Sequence, residues 1–279
     1  MEVNIVFWVF IRELKQRILK ERLYDLAAQL AYYFLMSLFP FLLFTVTVLA
    51  YLPVSSDNIL RLIQPFAPED TYVLVENNLR VILDQQRGGI FSVSLIVTLY
   101  LASIAFQSVI RILNNAYQVE QTRPFLIQWL LGIVLMMGLL IAITVSLILP
   151  VFGKIIGEFV FGLLGLSDFF YEVWIWLRWI LSSCVLFLVF FFVYKFAPNR
   201  KIGTMEALPG AVFSTIGWQL SSLAFSYYAS INNYSHIYGN LGAIIVLVGW
   251  IYLSAMILIL GGMINATFGQ LKKRDRWES

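Results

Sequence analysis

The 279-residue chain is 60% apolar (AVILMFWYC) and 13% charged, with a mean hydropathy of +0.82; soluble domains hold about 25% charged residues. This excludes a soluble globular domain, and six long apolar stretches indicate an all-α, polytopic membrane protein with six transmembrane helices. A net charge of +3 is too small to argue for nucleic acid, the single histidine (His236) excludes a His-rich metal site, and the single cysteine (Cys184) excludes an internal disulfide.

Residues 1–24 form a basic arm. Within it, residues 3–20 place Phe7, Phe10, Ile11, Leu14 and Ile18 on one helical face with basic residues opposite, an amphipathic helix suited to the cytoplasmic lipid surface. The arm lacks the pattern of a cleavable signal. The first span covers 26–52 and aligns Gln29, Tyr33, Ser37 and Pro40 on one face. Pro40 cannot donate to the Met36 carbonyl and is expected to kink the helix.

An acidic outer loop follows at 53–89, with Asp57, Glu69, Asp70, Glu76 and Asp84. Tyr72, Val75, Leu79 and Ile82 recur at helical spacing, and Pro65 and Pro68 are expected to separate two short helices capping the bundle. In the second span, 90–110, Tyr100, Ser103 and Gln107 share a face with Arg111 and Asn114 just beyond. The third span covers 125–151.

The fourth span, 173–196, carries Arg178 about one turn from its start, among Trp174, Trp176 and Trp179. A charge there is costly unless paired or wetted. It either snorkels among aromatic anchors or faces an outward-accessible cavity and attracts an anion, with Glu158, Asp168 and Glu172 as candidate counter-ions. The fifth span, 207–228, shows a small-residue seam of Gly210, Ser214, Gly217, Ser221 and Ala224, suited to close helix contact within one chain or in a homo-oligomer. The sixth, 239–268, opens at Tyr238-Gly-Asn240-Leu-Gly242, a tight turn or a helix start with exposed N–H groups, and aligns Ser254, Gly261 and Asn265. His236, with Asn232 and Asn233, marks the preceding outer corner. A basic tail occupies 269–279.

Sidedness follows from Lys and Arg. With six spans, Arg12, Lys15, Arg17, Lys20, Arg22, Arg111, Arg123, Lys195, Arg200, Lys201, Lys272, Lys273, Arg274 and Arg276 share one side, leaving Arg61, Arg80, Arg87 and Lys154 on the other. The bias predicts that both termini are cytoplasmic.

The polar stripes read in two ways, as packing glue or as the lining of a central cavity. The second reading makes Gln29, Tyr33, Ser37, Pro40, Tyr100, Ser103, Gln107, Asn114, Arg178, Asn240 and Asn265 the candidate substrate pathway. No phosphate-cradling Gly-x-x-x-x-Gly-Lys-Ser/Thr loop and no Ser/His/Asp set is present, so neither catalysis, a metal nor a cofactor is expected. No inverted repeat relates the two three-helix halves, which weakens an alternating-access reading.

With these residues in view, the chain resembles the YihY/virulence factor BrkB family of bacterial inner-membrane proteins over nearly its whole length. The resemblance rests on Leu26-Ala-Ala-Gln-Leu-Ala-Tyr-Tyr-Phe-Leu-Met-Ser-Leu-Phe-Pro40, Tyr100-Leu-Ala-Ser103 through Asn114-Asn-Ala-Tyr117, and Arg123-Pro124-Phe125. It also rests on Leu177-Arg178-Trp179, Tyr238-Gly-Asn-Leu-Gly-Ala243, Trp250-Ile-Tyr-Leu-Ser254 and Gly262-Met-Ile-Asn265. Gln29 occupies the free position of the Ala-Ala-x-Leu-Ala-Tyr-Tyr motif.

The resemblance implies a six-helix inner-membrane protein of transporter-like character, without an established substrate; some members are suspected of exporting or moving lipids. The ribonuclease BN label that circulates in the family finds no support in these residues, because a metal-dependent nuclease needs clustered His, Asp or Glu ligands. The expected function is a transporter or lipid-moving protein, its partners membrane lipids and an anionic or lipid substrate. The rival expectation is a non-transporting scaffold for envelope assembly.

Overall fold

The structure is a computed structural model, described here for residues 2–49, 88–138, 168–231 and 241–278. Seven helices lie among the described residues: α1 (Glu2–Lys20), α2 (Leu23–Leu49), α3 (Gly88–Ala116), α4 (Phe125–Gly138), α5 (Asp168–Phe196), α6 (Thr204–Ile231) and α7 (Leu241–Glu278). The amphipathic arm is helical as its periodicity predicts, and the described residues of the expected spans are helical. Two segments, Trp179–Phe196 of α5 and Ile245–Lys272 of α7, are by themselves long and apolar enough to cross a membrane. Helix α2 continues through Pro40 to Leu49. The outer-loop helices expected before residue 88, the second half of the third span, His236, Asn240, and the side chains of Pro40 and Arg178 lie outside the described residues.

The chain divides into two compact units, Met1–Tyr32 with Ser103–Ser279, and Tyr33–Ala102. In the first, α6 packs against both α5 and α7, and α1 lies on α7. Small residues bring α6 and α7 together: a Cβ on Gly210 would fall on the Gly261 carbonyl oxygen and the Asn265 carboxamide, and one on Gly217 would crowd Ile257 at 3.3 Å. The seam expected in the fifth span is therefore a helix contact within the chain as far as Gly217, whereas Ala224 is exposed. Trp218 and Trp250 meet edge to face with centroids 5.8 Å apart, and Trp250 Nε1 donates to Ser222 Oγ at 3.3 Å.

The outer faces of α5 and α6 are apolar. Trp176, Ile180, Leu188 and Phe192 of α5 and Ile216, Leu220, Leu223 and Tyr227 of α6 are exposed, while Tyr194, Ser214, Thr215, Asn265 and Thr267 are buried. Apolar side chains outside and paired polar groups inside are what a chain solvated by lipid requires.

The polar ends of the helices are closed deliberately. Arg22, left-handed at φ 53°, turns α1 into α2: Glu21 N donates back to Arg17 O at 2.9 Å, and Leu26 N reaches Arg22 O at 3.2 Å to start the next helix. Helix α3 ends on Gln118, also left-handed (φ 54°), with Val119 N donating to Asn114 O at 3.0 Å and Gln118 N to Asn115 O at 2.9 Å. That is the two-bond helix stop usually built on glycine, made here with a glutamine. Arg123 then caps α5, donating to the carbonyls of Phe196, Ala197 and Pro198 at 3.1, 3.1 and 2.8 Å.

In the second unit, Ser37 is buried and its hydroxyl donates to Phe34 O at 2.9 Å, while Tyr100 is 61% exposed.

Candidate functional site

A cleft of about 620 Å³ opens where the end of α1, the end of α3 and α7 meet. Glu13, Gln16, Arg17 and Lys20 come from α1 at i, i+3, i+4 and i+7, one helical face. Glu21 follows them. The end of α3 contributes Asn114, Asn115, Gln118, Val119 and Glu120, and α7 contributes Gln270. The next faces of α1 have other tasks: Phe10, Leu14 and Ile18 are half-buried, and Trp8, Ile11, Arg12, Lys15 and Leu19 are exposed.

Arg17 ties the three elements together. Its Nη1 donates to the Ala116 carbonyl at the end of α3, and its Nη2 donates to Gln270 Oε1 at 2.7 Å. Burial lowers the Arg17 pKa from its ordinary value, opposed by the neighbouring carboxylates of Glu21 and Glu13. Glu21 is the reverse case: burial pushes its carboxyl up, and Arg17 and Lys20 only partly offset this. One Glu21 oxygen, Oε2, is buried without a hydrogen bond.

Asn114 forms a buried part of the wall, 2% exposed. Its orientation is fixed, because Asn199 N donates to its Oδ1 at 2.7 Å. Nδ2 is then a buried donor with no protein partner. Asn199 also donates through Nδ2 to Glu120 O and Thr122 Oγ1, at 2.7 and 2.8 Å. This latches the α5–α6 connection to the α3–α4 connection. Behind the wall, the Tyr117 ring lies 4.9 Å from the Arg200 guanidinium, which is ion-paired with Glu206. Burial, reinforced by Glu206, pushes the Tyr117 phenol well above its ordinary range.

Among the expected pathway residues described in the first unit, only Asn114 lines this cleft. Gln29 is exposed on α2. Gln107 Nε2 donates to Ser103 Oγ at 3.1 Å, one turn back on α3. Asn265 is fully buried between α6 and α7, accepting from Gly210 N at 2.6 Å and donating to Ala207 O at 3.1 Å. In the second unit Tyr33 is half-buried, Ser37 is bonded to its own helix, and Tyr100 faces outward.

Sequence reasoning reads Arg17 and Lys20 as markers of sidedness and leaves Glu13, Gln16, Glu21, Gln118 and Gln270 unremarked. The available signal was the polar row 13, 16, 17, 20 beside the apolar row 10, 14, 18 on one short helix. Among the described residues, no group of three or more His, Cys, Asp or Glu is placed to hold a metal ion.

Residues 14–278 match the virulence factor BrkB family. The chain belongs to that family. Among BrkB-family relatives, it is similar to the putative ribonuclease-like protein YfkH of Bacillus subtilis, 44% identical over 265 residues that cover 95% of this chain and 96% of the relative. It is also similar to the UPF0761 membrane protein VSAL_I2938 of Aliivibrio salmonicida, 31% identical over 98% of this chain and 86% of the relative. No solved structure matches. In this member of the BrkB family the cleft is thus built beside an amphipathic helix.

Proposed function

We propose that this BrkB-family membrane protein moves a lipid or a lipid-like anion across the inner membrane. Six spans then place both termini in the cytoplasm, and the cleft at the end of α1 is the cytoplasmic polar station of the route. The observation that carries this reading is the cleft itself, an open polar concavity with buried Asn114 in its wall. It lies next to exposed Trp8, Ile11 and Leu19, the side chains that would seat α1 in a lipid surface. Arg178 on α5 supplies the attracting cation near the outer leaflet, and Gln107 belongs to the route between them. No catalysis and no cofactor is part of this function.

Proteoliposomes holding the full chain and fluorescent anionic or zwitterionic phospholipids test it. Transbilayer movement well above that of protein-free vesicles is expected, and Arg178→Ala and Gln107→Leu should each abolish it while inserting and purifying normally. Movement equal to empty vesicles, with and without a pH or sodium gradient, would sink the proposal. Variants that merely lower expression would make the two residues structural.

A second reading has its own support. The polar groups Tyr194, Ser214 and Asn265 are bonded among α5, α6 and α7, as in a bundle whose interior is for packing. A membrane scaffold for envelope assembly would then need residues 1–20 more than Gln107. Deletion of that arm would abolish its function, and the two substitutions would be tolerated.

A further inference from the structure

We propose that the α1–α3–α7 cleft binds a zwitterionic phosphoethanolamine-type group, its ammonium on Glu21 and its phosphate on Asn114 Nδ2 and Lys20. This rests on the lipid-moving reading and names the head-group chemistry. Three observations lead to it. The walls are nearly balanced in charge, with Glu13, Glu21 and Glu120 against Arg17 and Lys20, so a neutral ligand with separated charges fits better than a simple anion or cation. Arg17 is already committed to the Ala116 carbonyl and Gln270, which leaves anion recognition to Lys20 and neutral donors.

The third observation is that, of three buried side-chain atoms without a partner among the described residues (Glu21 Oε2, Asn114 Nδ2 and the Tyr117 hydroxyl), the first two belong to residues lining the cleft. Asn114 Nδ2 is a donor in a 98% buried side chain that lines the cleft, and Glu21 Oε2 is an acceptor. A buried donor and a buried acceptor left open in the lining of one cleft ask for a ligand carrying both an acceptor and a donor. The donor cannot be exchanged for the acceptor by turning the amide, since the Asn199 N–H holds Oδ1. A quaternary ammonium has no N–H for Glu21, so the site discriminates between ethanolamine and choline head groups. The left-handed Gln118 on the rim, bonded by Gln270 Nε2 at 3.4 Å, marks where α3 had to stop for the cleft to stay open.

The test titrates the full chain in a non-ionic detergent with glycerophosphoethanolamine, glycerophosphocholine and inorganic phosphate, followed calorimetrically. Binding of the first is expected, at least about tenfold tighter than either of the others, which corresponds to about 1.4 kcal/mol. Glu21→Gln removes the charge while keeping the shape. Asn114→Asp keeps the acceptor for Asn199 but loses the donor. Each should weaken glycerophosphoethanolamine binding about tenfold with the helical content unchanged.

Equal binding of all three compounds, no binding, or binding indifferent to both variants would overturn the proposal. If Asn114→Asp fails to fold, Glu21→Gln decides alone. A parallel arm in nanodiscs with and without phosphatidylethanolamine separates the sources: competition by that lipid identifies a lipid head group, and its absence a free zwitterion. Binding without transbilayer movement leaves the site standing and removes the lipid-moving function; movement without binding does the opposite.

Discussion

Asn265 of α7 clasps α6 around Pro209: its Oδ1 accepts from Gly210 N at 2.6 Å and its Nδ2 donates to Ala207 O at 3.1 Å. A proline inside a helix has no N–H to donate and opens the local ladder. The carbonyl left without its usual donor is that of Met205, four residues back, while the Asn265 carboxamide binds the α6 backbone on both sides of the proline. The close approach that allows it requires glycine at 210 and 261, since a Cβ at either would fall on atoms of the facing helix.

Replacing Asn265 by Leu deletes both of these buried hydrogen bonds between α7 and α6. A loss of about 2 kcal/mol is expected from the two bonds. Gly210→Ala should destabilise comparably by forcing the helices apart. Thermal unfolding of the purified protein in detergent measures both, and a midpoint within a degree of the parent for Asn265→Leu would show that the clasp is not what holds α6 to α7.

The Tyr194 and Ser214 hydroxyls lie 2.6 Å apart, with Leu258 O 2.8 Å from the first and Ile257 O 3.2 Å from the second, so the two share one buried network in which either hydroxyl can donate to the other. Tyr194→Phe and Ser214→Ala each delete the bond between them. Singly, each should cost about 1–2 kcal/mol, and the double variant should cost about 1 kcal/mol less than their sum. Additive losses would mean that the two hydroxyls do not depend on each other.

These polar groups show where the sequence was legible. The helical character of the apolar stretches was readable over the described residues, because a long apolar run in a membrane chain must close its backbone hydrogen bonds within itself. The close approach at Gly210 and Gly217 was readable from small-residue spacing. Partner choice was not. Asn265 aligns with Ser254 and Gly261 at helical spacing, which is equally consistent with a cavity lining and with a clasp on α6, and the spacing carries no information about the facing helix. The cleft was hidden for a similar reason: its walls come from positions as distant as Arg17 and Gln270, and Arg17, counted as one of many basic residues, is in fact a helix cap.

Glu21 gives the cleft a pH signature. Its folded-state pKa is raised from the ordinary value of 4.5 by burial, with Arg17 and Lys20 opposing. The folded chain thus holds this proton more tightly than the unfolded chain, so stability falls as pH rises through the raised value. Glu21→Gln should then be more stable than the parent at neutral pH, with the difference vanishing below about pH 4.5, where both states are protonated. Thermal midpoints of the two proteins across pH 4–8 measure it. A parent more stable than the variant at pH 7 would mean that the Arg17 attraction outweighs desolvation. A stabilising Glu21→Gln that also loses glycerophosphoethanolamine binding would identify a carboxylate kept for function against stability.

Cys184 tests which face of α5 meets lipid. It is the only cysteine, it is exposed, and it lies within the apolar Trp179–Phe196 segment near exposed Ile180, Leu181 and Leu188. If α5 spans the bilayer, as its length and apolarity allow, exposure there means contact with acyl chains, which exclude a charged reagent. A membrane-impermeant, charged maleimide should therefore fail to label Cys184 in sealed membranes and in membranes opened to both sides. The same reagent should label it fully after denaturation in dodecyl sulfate. In a Cys184→Ser background, Lys20→Cys places a thiol at the cleft instead, where the cytoplasmic proposal predicts labelling from opened inverted vesicles and from intact ones alike, but not from intact cells. Rapid labelling of native Cys184 would show that α5 is bathed in water at that depth, and the exposed apolar face would then require a protein partner in place of the bilayer.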